Sequence, residues 1–371
     1  MEVNEGEVII TVPEVRDGAS EGTGSSVFYN PTQELNRDIT VATLRAYRAR
    51  QPQVETYLDA MMASGIRGVR AATAGFQVSG TDTDSAAVQL ARENFARNNV
   101  SGDLRQADAN VAMHQTRYDI VDLDPFGTPA PYLDAALANT AGLVCVTATD
   151  TAPLCGAHQD SGIRSYGAVP QNTEYHPEMG LRTLLSAIIR TAARHDRAAV
   201  PILSHVSRHY VRTYVEIEAS STAANERIAS LGYIYHCEDC LHRDAETSLI
   251  AHPPSRCAAC SSERILTAGP VYVGKICDPE FVAAVCSETD SRLATANKAR
   301  RILSTIQTEL DTPTHYDQHR LCKLWGRSAS AMDDFLEDLH ESGHSASRAH
   351  YSGTAFKTTA SITEIRSATG S

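Results

Sequence analysis

The stretch VETYLDAMMASGIRGVRAATAGFQVSGTD, residues 54–82, decides how the rest of the chain is read. It opens with a strand-like run, VETYLDAM, that ends near an acid, Asp59. A turn of small residues follows, Ala63, Ser64 and Gly65, and IRGVRAATA opens a helix behind it. FQVSGTD is then a second strand-like run, ending on Asp82. Strand, turn, helix, strand is the repeating unit of a parallel sheet.

The alternation continues. Residues 84–98 read as a helix with Ala87, Leu90, Ala91 and Phe95 at helical spacing. DLRQAD is a third strand ending at Asp108, and YDIVDLD a fourth ending at Asp124. Residues 130–139 are helical, GLVCVTATD is a fifth strand, and a long helix spans about 179–195. AAVPILSHVSRHY and VRTYVEIEAS are two further strands. The expected class is α/β, a Rossmann-like doubly wound sheet covered on both faces. Ligands of such sheets bind beyond the carboxyl ends of the strands. Asp59, Asp82, Asp108 and Asp124 all fall at such ends. Any one of them reads equally well as a helix N-cap; four at one edge make a candidate site.

The 371 residues leave room for two domains, and 42% hydrophobic residues give a globular chain. No run of 18 apolar residues is present, so no membrane span is expected. MEVNEGEVII lacks the basic-then-apolar pattern of a signal peptide, which points to the cytoplasm. Residues 1–25 are acidic, Gly/Ser-rich towards their end, and read as a flexible or edge segment. Asp and Glu number 45 against 33 Lys and Arg, a net charge of -12, and only Lys275, Lys298, Lys323 and Lys357 are lysines. A lysine-poor acidic surface suits concentrated salt. It is also a poor default surface for nucleic acid, so any RNA contact has to draw on local groups of arginine.

The turn after the first strand is not G-x-G-x-x-G: Ala63 stands where a first glycine would, and only Gly65 and Gly68 follow. S-adenosylmethionine fits it better than a dinucleotide. Methyltransferase sheets use a loose glycine turn after strand one and an acid at the end of strand two that accepts both ribose hydroxyls. Asp82 has that place, and Asp108 at strand three can accept from the adenine amine. Dinucleotide enzymes share the strand-two acid, so Asp82 alone does not discriminate.

At the end of strand four stands DLDPFGTP, residues 122–129. Amino-directed methyltransferases carry Asp or Asn, proline and an aromatic at this point. An exocyclic amine on a base delocalises its lone pair into the ring and is a poor nucleophile. An acceptor side chain and a backbone carbonyl draw on its hydrogens and free that pair; the carboxylate of Asp124 can also take the proton lost on methylation. Pro125 fixes the backbone, Phe126 offers a face for a flipped base, and Gly127 leaves room for the turn. The plain alternative is an Asp-Pro turn without chemistry.

Several stretches together resemble the tRNA (guanine-N2) dimethyltransferases that act on guanosine 26. VFYNPTQELNRDIT (27–40), SGIRGVR (64–70), DLDPFGTP (122–129), TATDTAPLCG (147–156), GYIYHC (232–237) and GPVYVG (269–274) stand in that family's order. The resemblance covers nearly the whole chain. It implies a class I methyltransferase fold, S-adenosyl-L-methionine as donor, tRNA as partner, and transfer of one or two methyls to guanine N2. It also implies cofactor contacts from Arg37, Arg67, Asp82, Asp108 and Ala109, with Asp59 and Gly65 at the first turn. Asp124 is the implied catalytic acceptor, with Pro125, and Phe28 and Phe126 embrace the base. Arg37 and Arg67 read alternatively as surface ion pairs, and Phe28 as plain core. No obligate protein partner is implied. Ala63 departs from the smaller run expected of the turn.

CEDC (237–240) and CAAC (257–260) are two Cys-x2-Cys knuckles 16 residues apart. Cys237, Cys240, Cys257 and Cys260 are therefore expected to hold a structural zinc, with no open coordination position; an iron–sulfur cluster is the lesser alternative. His236 and His242 are not needed as ligands. Domains are expected at 1–275, a methyltransferase unit including the zinc segment 233–264, and 276–371, a smaller C-terminal α+β, winged-helix-like unit that binds tRNA. Candidate RNA contacts are Arg164, Arg182, Arg190, Arg194 and Arg197 around the long helix. In the C-terminal unit they are Arg320, Lys323, Arg327, Arg348 and Lys357. The competing functions are an amino-methyltransferase on DNA adenine or protein glutamine, and a non-catalytic zinc-ribbon RNA-binding protein. The first competitor usually carries Asp/Asn-Pro-Pro-aromatic, whereas Phe126 follows Pro125 directly.

Overall fold

The computed structural model describes residues 1–13, 27–207 and 209–370. The chain opens with an antiparallel hairpin, β1 (Glu2–Glu5) and β2 (Val8–Thr11). Of the two alternatives for the start, flexible or edge, residues 2–11 follow the second: they are an ordered hairpin. Alternation in β2 turns Val8 and Ile10 into the main core, and Glu5 is fully buried against arginines from two helices. The rest of that expected segment, residues 14–25, lies outside the described residues.

The alternating units follow as read. They are α1 (Glu34–Arg50), β3 (Thr56–Asp59), α2 (Ile66–Thr73), β4 (Gln77–Asp82), α3 (Ser85–Arg97) and β5 (Gly102–Gln106). Then come α4 (Ala109–Gln115), β6 (Ile120–Leu123), α5 (Leu133–Asn139) and β7 (Leu143–Ala148). In α3 the carboxylate of Asp84 accepts from the backbone N–H of Ala86 at 2.8 Å, and Ala87, Val88, Ala91 and Phe95 face inward. Leu90 is only half-buried. Two short helices, α6 (Thr151–Leu154) and α7 (Gln159–Tyr166), lead to α8 (His176–Ala193), which begins three residues earlier than its pattern indicated. The sheet closes with β8 (Ala198–Ser207) and β9 (Tyr210–Glu218).

The seven strands are ordered β5-β4-β3-β6-β7-β9-β8. β9 runs antiparallel between β7 and β8. That insertion separates this sheet from the dinucleotide-binding order, which stays parallel to its last strand. It is the order of a class I methyltransferase. One core packs the sheet against α1, α2 and α3; a second packs it against α5 and α8.

Beyond α9 (Ser221–Ile228), β10 (Leu231–Cys237) forms a small antiparallel sheet with β11 (Arg243–Glu246) and β12 (Ile265–Tyr272). Two helices follow, α10 (Pro279–Ser287) and α11 (Ala296–Thr308). Phe281, Val282, Val285, Leu303 and Ile306 from these helices join the first core, beside Ile39 and Tyr47 of α1. The chain ends with β13 (Tyr316–Asp317), α12 (Gln318–Leu324), α13 (Met332–Glu341), β14 (Ala346–Arg348), β15 (Ala355–Thr358) and α14 (Ile362–Ala368). From α11 onward the order helix, strand, helix, helix, strand, strand is that of a winged-helix-like unit. Its own core contains Tyr316, Leu321, Phe335, Phe356 and Ile365. Among the described residues no helix is long and apolar enough to cross a membrane.

Candidate active site and metal centre

A cavity of about 530 Å³ opens at the carboxyl ends of β3, β6 and β7. Four segments meet there: Phe28 to Arg37, Asp59 to Arg67, Asp124 to Phe126, and Thr149 with Thr151; His209 also lines it. A surface hollow of about 590 Å³ lies at the opposite, amino end of the sheet, by Arg117, Asn139 and Ser220. Arg197 there is turned to the carbonyls of Leu137, Ala138 and Thr140, so nothing comparable converges on it.

β6 stops at Leu123, and Asp124 is the next residue. The turn behind it is pinned. Gly127, at φ 90°, donates its N–H to Thr149 Oγ1 at 2.8 Å and accepts from Thr149 N at 3.0 Å. Glycine takes that φ without strain. Phe28 and Phe126 meet edge-on, with ring centroids 5.7 Å apart and planes at 74°. They are 51% and 73% exposed, so Phe28 is not core. Two solvated aromatic rings at the rim of a polar cavity offer stacking surface and bury little of their own.

Arg67, from the first turn of α2, holds Asp124: its Nε donates to one carboxylate oxygen at 2.6 Å. The arginine side chain is 6% exposed and the aspartate side chain 23%. Behind them lies Asp122, fully buried. It accepts from Arg212 through both oxygens, at 2.7 and 2.8 Å, and from Tyr57 Oη at 2.9 Å, with Arg67 at 3.9 Å. Burial by itself would raise the pKa of Asp122, but Arg212 and Arg67 outweigh it and keep the carboxylate below its ordinary value. Burial, with the negative charge of Asp122 beside it, instead pushes Asp59 up to about 7. Arg67 Nη2 is buried with no partner among the described residues. A buried guanidinium N–H without an acceptor, beside a cavity, suits a ligand oxygen or ring nitrogen.

The expected cofactor residues are divided by the structure. Asp59 lines the cavity and accepts from Gly68 N at 2.9 Å, which caps α2. Asp82 accepts from Ala63 N and from Asp84 N, both at 3.0 Å, and stands just outside the cavity lining. Ala63 has φ 44°, which explains why a glycine belongs at that point of the turn. Gly65 does not line the cavity. It is the left-handed N-cap of α2 at φ 77°, and a Cβ there would meet Ala91 Cβ at 2.9 Å. Asp108 is not a strand end: β5 stops at Gln106, and Asp108 caps α4 through Asn110 N at 2.8 Å and Val111 N at 3.2 Å. Ala109 is the buried first residue of that helix. Arg37 lines the cavity but is clamped by Glu5, with Nε–Oε1 2.6 Å and Nη2–Oε2 2.7 Å. It is a buried ion pair, where a surface one was the alternative. Tyr57, Asp122, Arg212, Thr149 and His209 were not singled out from sequence. The i, i+2 pair Asp122 and Asp124 on a strand that ends at a ligand edge was the available signal, since both side chains leave one face.

Cys237, Cys240, Cys257 and Cys260 place their four sulfurs within 4.8 Å of one another. Cys237–Cys260 and Cys240–Cys257 are 3.6 and 3.5 Å apart. Ideal tetrahedral thiolates 2.3 Å from one ion stand roughly 3.8 Å apart, so the set fits one metal. His236 and His242 stay outside the set, near Glu174 and Asp244 respectively.

Several expected RNA contacts prove internal. Arg182 is buried and binds Glu178 together with the carbonyls of Tyr272 and Gly274. Lys357 is buried between Glu178 and Glu309, at 3.1 and 2.9 Å. Arg190 reaches the carbonyls of Tyr166 and Ser186. Their helical or strand spacing turned them inward, where carboxylates and carbonyls compensate the charge. Arg194 and Arg348 are exposed but paired with Asp134 and Asp333. Arg164, Arg320 and Lys323 are exposed. So are Lys298, Arg300 and Arg301 on α11, which the sequence reading passed over.

Residues 6–369 match the family described as N2,N2-dimethylguanosine tRNA methyltransferase. A tRNA (guanine(26)-N(2))-dimethyltransferase of Haloquadratum walsbyi is 59% identical, covering 100% of this chain and 98% of its own length. That of Haloarcula marismortui is 57% identical over the full length of both. Among solved structures, Trm1 from Pyrococcus horikoshii with S-adenosyl-L-methionine superposes with a TM-score of 0.88 at 32% identity, covering 99% of each chain.

Proposed function

This chain belongs to the N2,N2-dimethylguanosine tRNA methyltransferase family, and on that premise we propose that the cavity around Asp124 is its active site. The enzyme transfers methyl groups from S-adenosyl-L-methionine to the exocyclic N2 of guanosine 26 in tRNA. When bound, S-adenosylmethionine supplies an electrophilic methyl on a sulfonium that leaves as a neutral thioether.

The observation that carries the reading is the pairing of Asp124 with Arg67 under the Phe28–Phe126 pair. Arg67 holds one oxygen of Asp124, which lines the cavity, and the other oxygen is the acceptor for the amine in this reading. Accepting an N–H there draws the nitrogen lone pair out of the ring, and the same carboxylate, or water beyond it, takes the proton released as the N–C bond forms. Phe28 and Phe126 stack on the extruded guanine. Asp122, Arg212 and Tyr57 form the rigid backing that stops Arg67 from turning away. Asp59, Arg37 and Asp82 line or border the methionine and ribose end, and Asp108 with Ala109 the adenine end. The buried, unpartnered Nη2 of Arg67 and the ionisable Asp59 suit a ligand carrying both a carboxylate and cationic centres.

The four-thiolate knuckle holds zinc as a closed, structural site. The C-terminal part of the expected 276–371 unit grips tRNA, with Arg320 and Lys323, together with Lys298, Arg300 and Arg301, as exposed phosphate contacts. The setting is cytoplasmic. The test is nucleoside mass spectrometry of an unmodified tRNA transcript incubated with the protein and S-adenosylmethionine across a salt series. N2-methylguanosine or N2,N2-dimethylguanosine that vanishes when guanosine 26 is replaced supports the reading. Cofactor binding with no methylation at any salt overturns the substrate.

A further inference from the structure

The zinc segment does more than brace its own sheet. Leu241 directly follows Cys240, and Ala259 sits between Cys257 and Cys260. Leu241 is buried in the C-terminal core with Tyr316, Leu321, Phe335 and Phe356, and Ala259 packs against that same core. Each knuckle thus inserts one apolar residue into a domain that neither belongs to. Leu241 adopts φ 64°, and its N–H bonds to Cys237 O at 3.0 Å, so its direction is set by the knuckle's turn.

Arg243 stands three residues after Cys240, at the start of β11. The carbonyl of the preceding residue, His242, accepts from Cys237 N at 2.8 Å, which ties its backbone to the metal loop. Its guanidinium lies between two rings, 4.6 Å from the centroid of Tyr175 and 3.6 Å from that of Tyr316. Tyr175 is the N-cap of α8 in the methyltransferase body; Tyr316 begins β13 of the C-terminal unit. The two ends of the fork divide likewise, one to the carboxylate of Glu174 and the other to the carbonyl of His315. The side chain is 3% exposed. A planar cation stacked between two rings and bound at both ends tolerates little change of angle.

We propose that Arg243 is a positioning residue for tRNA methylation: held by the four-cysteine knuckle, it sets the angle of the C-terminal unit on the methyltransferase body. The part concerning tRNA rests on the function proposed above. Metal binding would lock both knuckles, and with them Leu241, Ala259 and Arg243. The Glu178 cluster, bound by His315 and Lys357, is a second tie between the same two units. Losing the first tie therefore loosens the joint and does not detach it.

The test uses the full chain in four forms: as purified with zinc, after removal of zinc by a chelator, Arg243→Ala and Arg243→Lys. Amide hydrogen exchange reads the joint, and titrations read the affinities for tRNA and for S-adenosylmethionine. Zinc removal and Arg243→Ala should each raise exchange at Thr314 to Asp317. Each should weaken tRNA binding about tenfold, with cofactor affinity unchanged. Arg243→Lys should fall between, since an ammonium lacks the fork. Unchanged exchange in both the zinc-free protein and Arg243→Ala overturns the joint. Raised exchange with unchanged tRNA affinity overturns the positioning role. Cofactor affinity falling in parallel with tRNA affinity also overturns it, because the body itself would then be unfolding. If the zinc-loaded wild type binds the cofactor yet neither binds nor methylates tRNA, the proposed function fails, and the exchange measurements still decide the joint.

Discussion

Asp59, Asp122 and Asp124 share one strand-end neighbourhood yet do different things, because each has a different balance of burial and cations. Asp124 is partly exposed and holds an arginine; Asp122 is buried but has two arginines; Asp59 is buried beside Asp122 and is pushed to about 7. Asp124→Ala should keep cofactor binding and lower the transfer rate by about 10²-fold or more, checked by calorimetry and single-turnover assay. Near-normal transfer would rule out the mechanism. The sign for Asp59 follows from its raised pKa. Below pH 7 the folded protein holds it neutral, so a cationic ligand that gains from the carboxylate must displace a proton. Cofactor affinity should therefore rise with pH through about 7 and level off, with proton release in calorimetry; Asp59→Asn should flatten that profile. The stabilising preference for the protonated form runs the other way: it is full below the unfolded value of 3.8 and is lost as pH climbs through about 7.

Turns and knuckles hold the site together at the scale of single elements. Gly65 combines a left-handed backbone with an approach to Ala91 that leaves no room for a Cβ. Gly65→Ala should cost about 1–3 kcal/mol in denaturant unfolding, with cofactor affinity falling as α2 shifts. Ala63 is the opposite case, a residue with Cβ in a left-handed position. Ala63→Gly should stabilise by about 0.5–1 kcal/mol, the strain relieved exceeding the added freedom of the unfolded chain. Cys237→Ser should lower both the melting temperature and the bound zinc; normal melting with full zinc would remove the structural metal. These elements were readable beforehand to different degrees. The β3-α2-β4 unit announced itself because apolar periodicity and a glycine turn agree. The third strand ends two residues before Asp108, a difference the sequence hides because an N-cap aspartate and a strand-end aspartate carry the same letter, and the hydrogen bond to Asn110 N is what tells them apart.

Taken whole, the molecule is an acidic chain, -12 overall, that keeps a good part of its basic residues inside. The Glu178 carboxylate accepts from Arg182, from Thr314 N and from both nitrogens of His315 that face it, and pairs with Lys357. Removing it strands those cations in the interior, so Glu178→Ala should destabilise by about 3–5 kcal/mol, measured by denaturant unfolding. Burial would raise Glu309, yet Lys357 and His350 bring it down to about 2. Its contribution is therefore present above 4.5 and is lost as pH falls towards 2, and Glu309→Gln should blunt that acid limb. Several of the cations that stay exposed are already paired with carboxylates, among them Arg97, Arg105, Arg194, Arg256, Arg264 and Arg348. Cations that are neutralised within the protein displace fewer counterions, which predicts a shallow dependence of tRNA affinity on salt, read as the slope of log Kd against log salt.

By itself the sequence determined what depends on neighbours along the chain. The strand–helix alternation, the acids at strand ends, DLDPFG after the fourth strand and the paired Cys-x2-Cys knuckles are local patterns with local physical causes. Only the tertiary structure decided what depends on residues far apart. It placed β9 between β7 and β8, joined Arg67 to Asp124 across 57 positions, and gave Glu5 to Arg37 and Arg70. It also turned Arg182 and Lys357 from apparent surface charges into buried partners of Glu178. The reason is that a charged side chain's role is set by which oppositely charged groups folding brings within a few ångströms of it. No spacing along the chain encodes that distance.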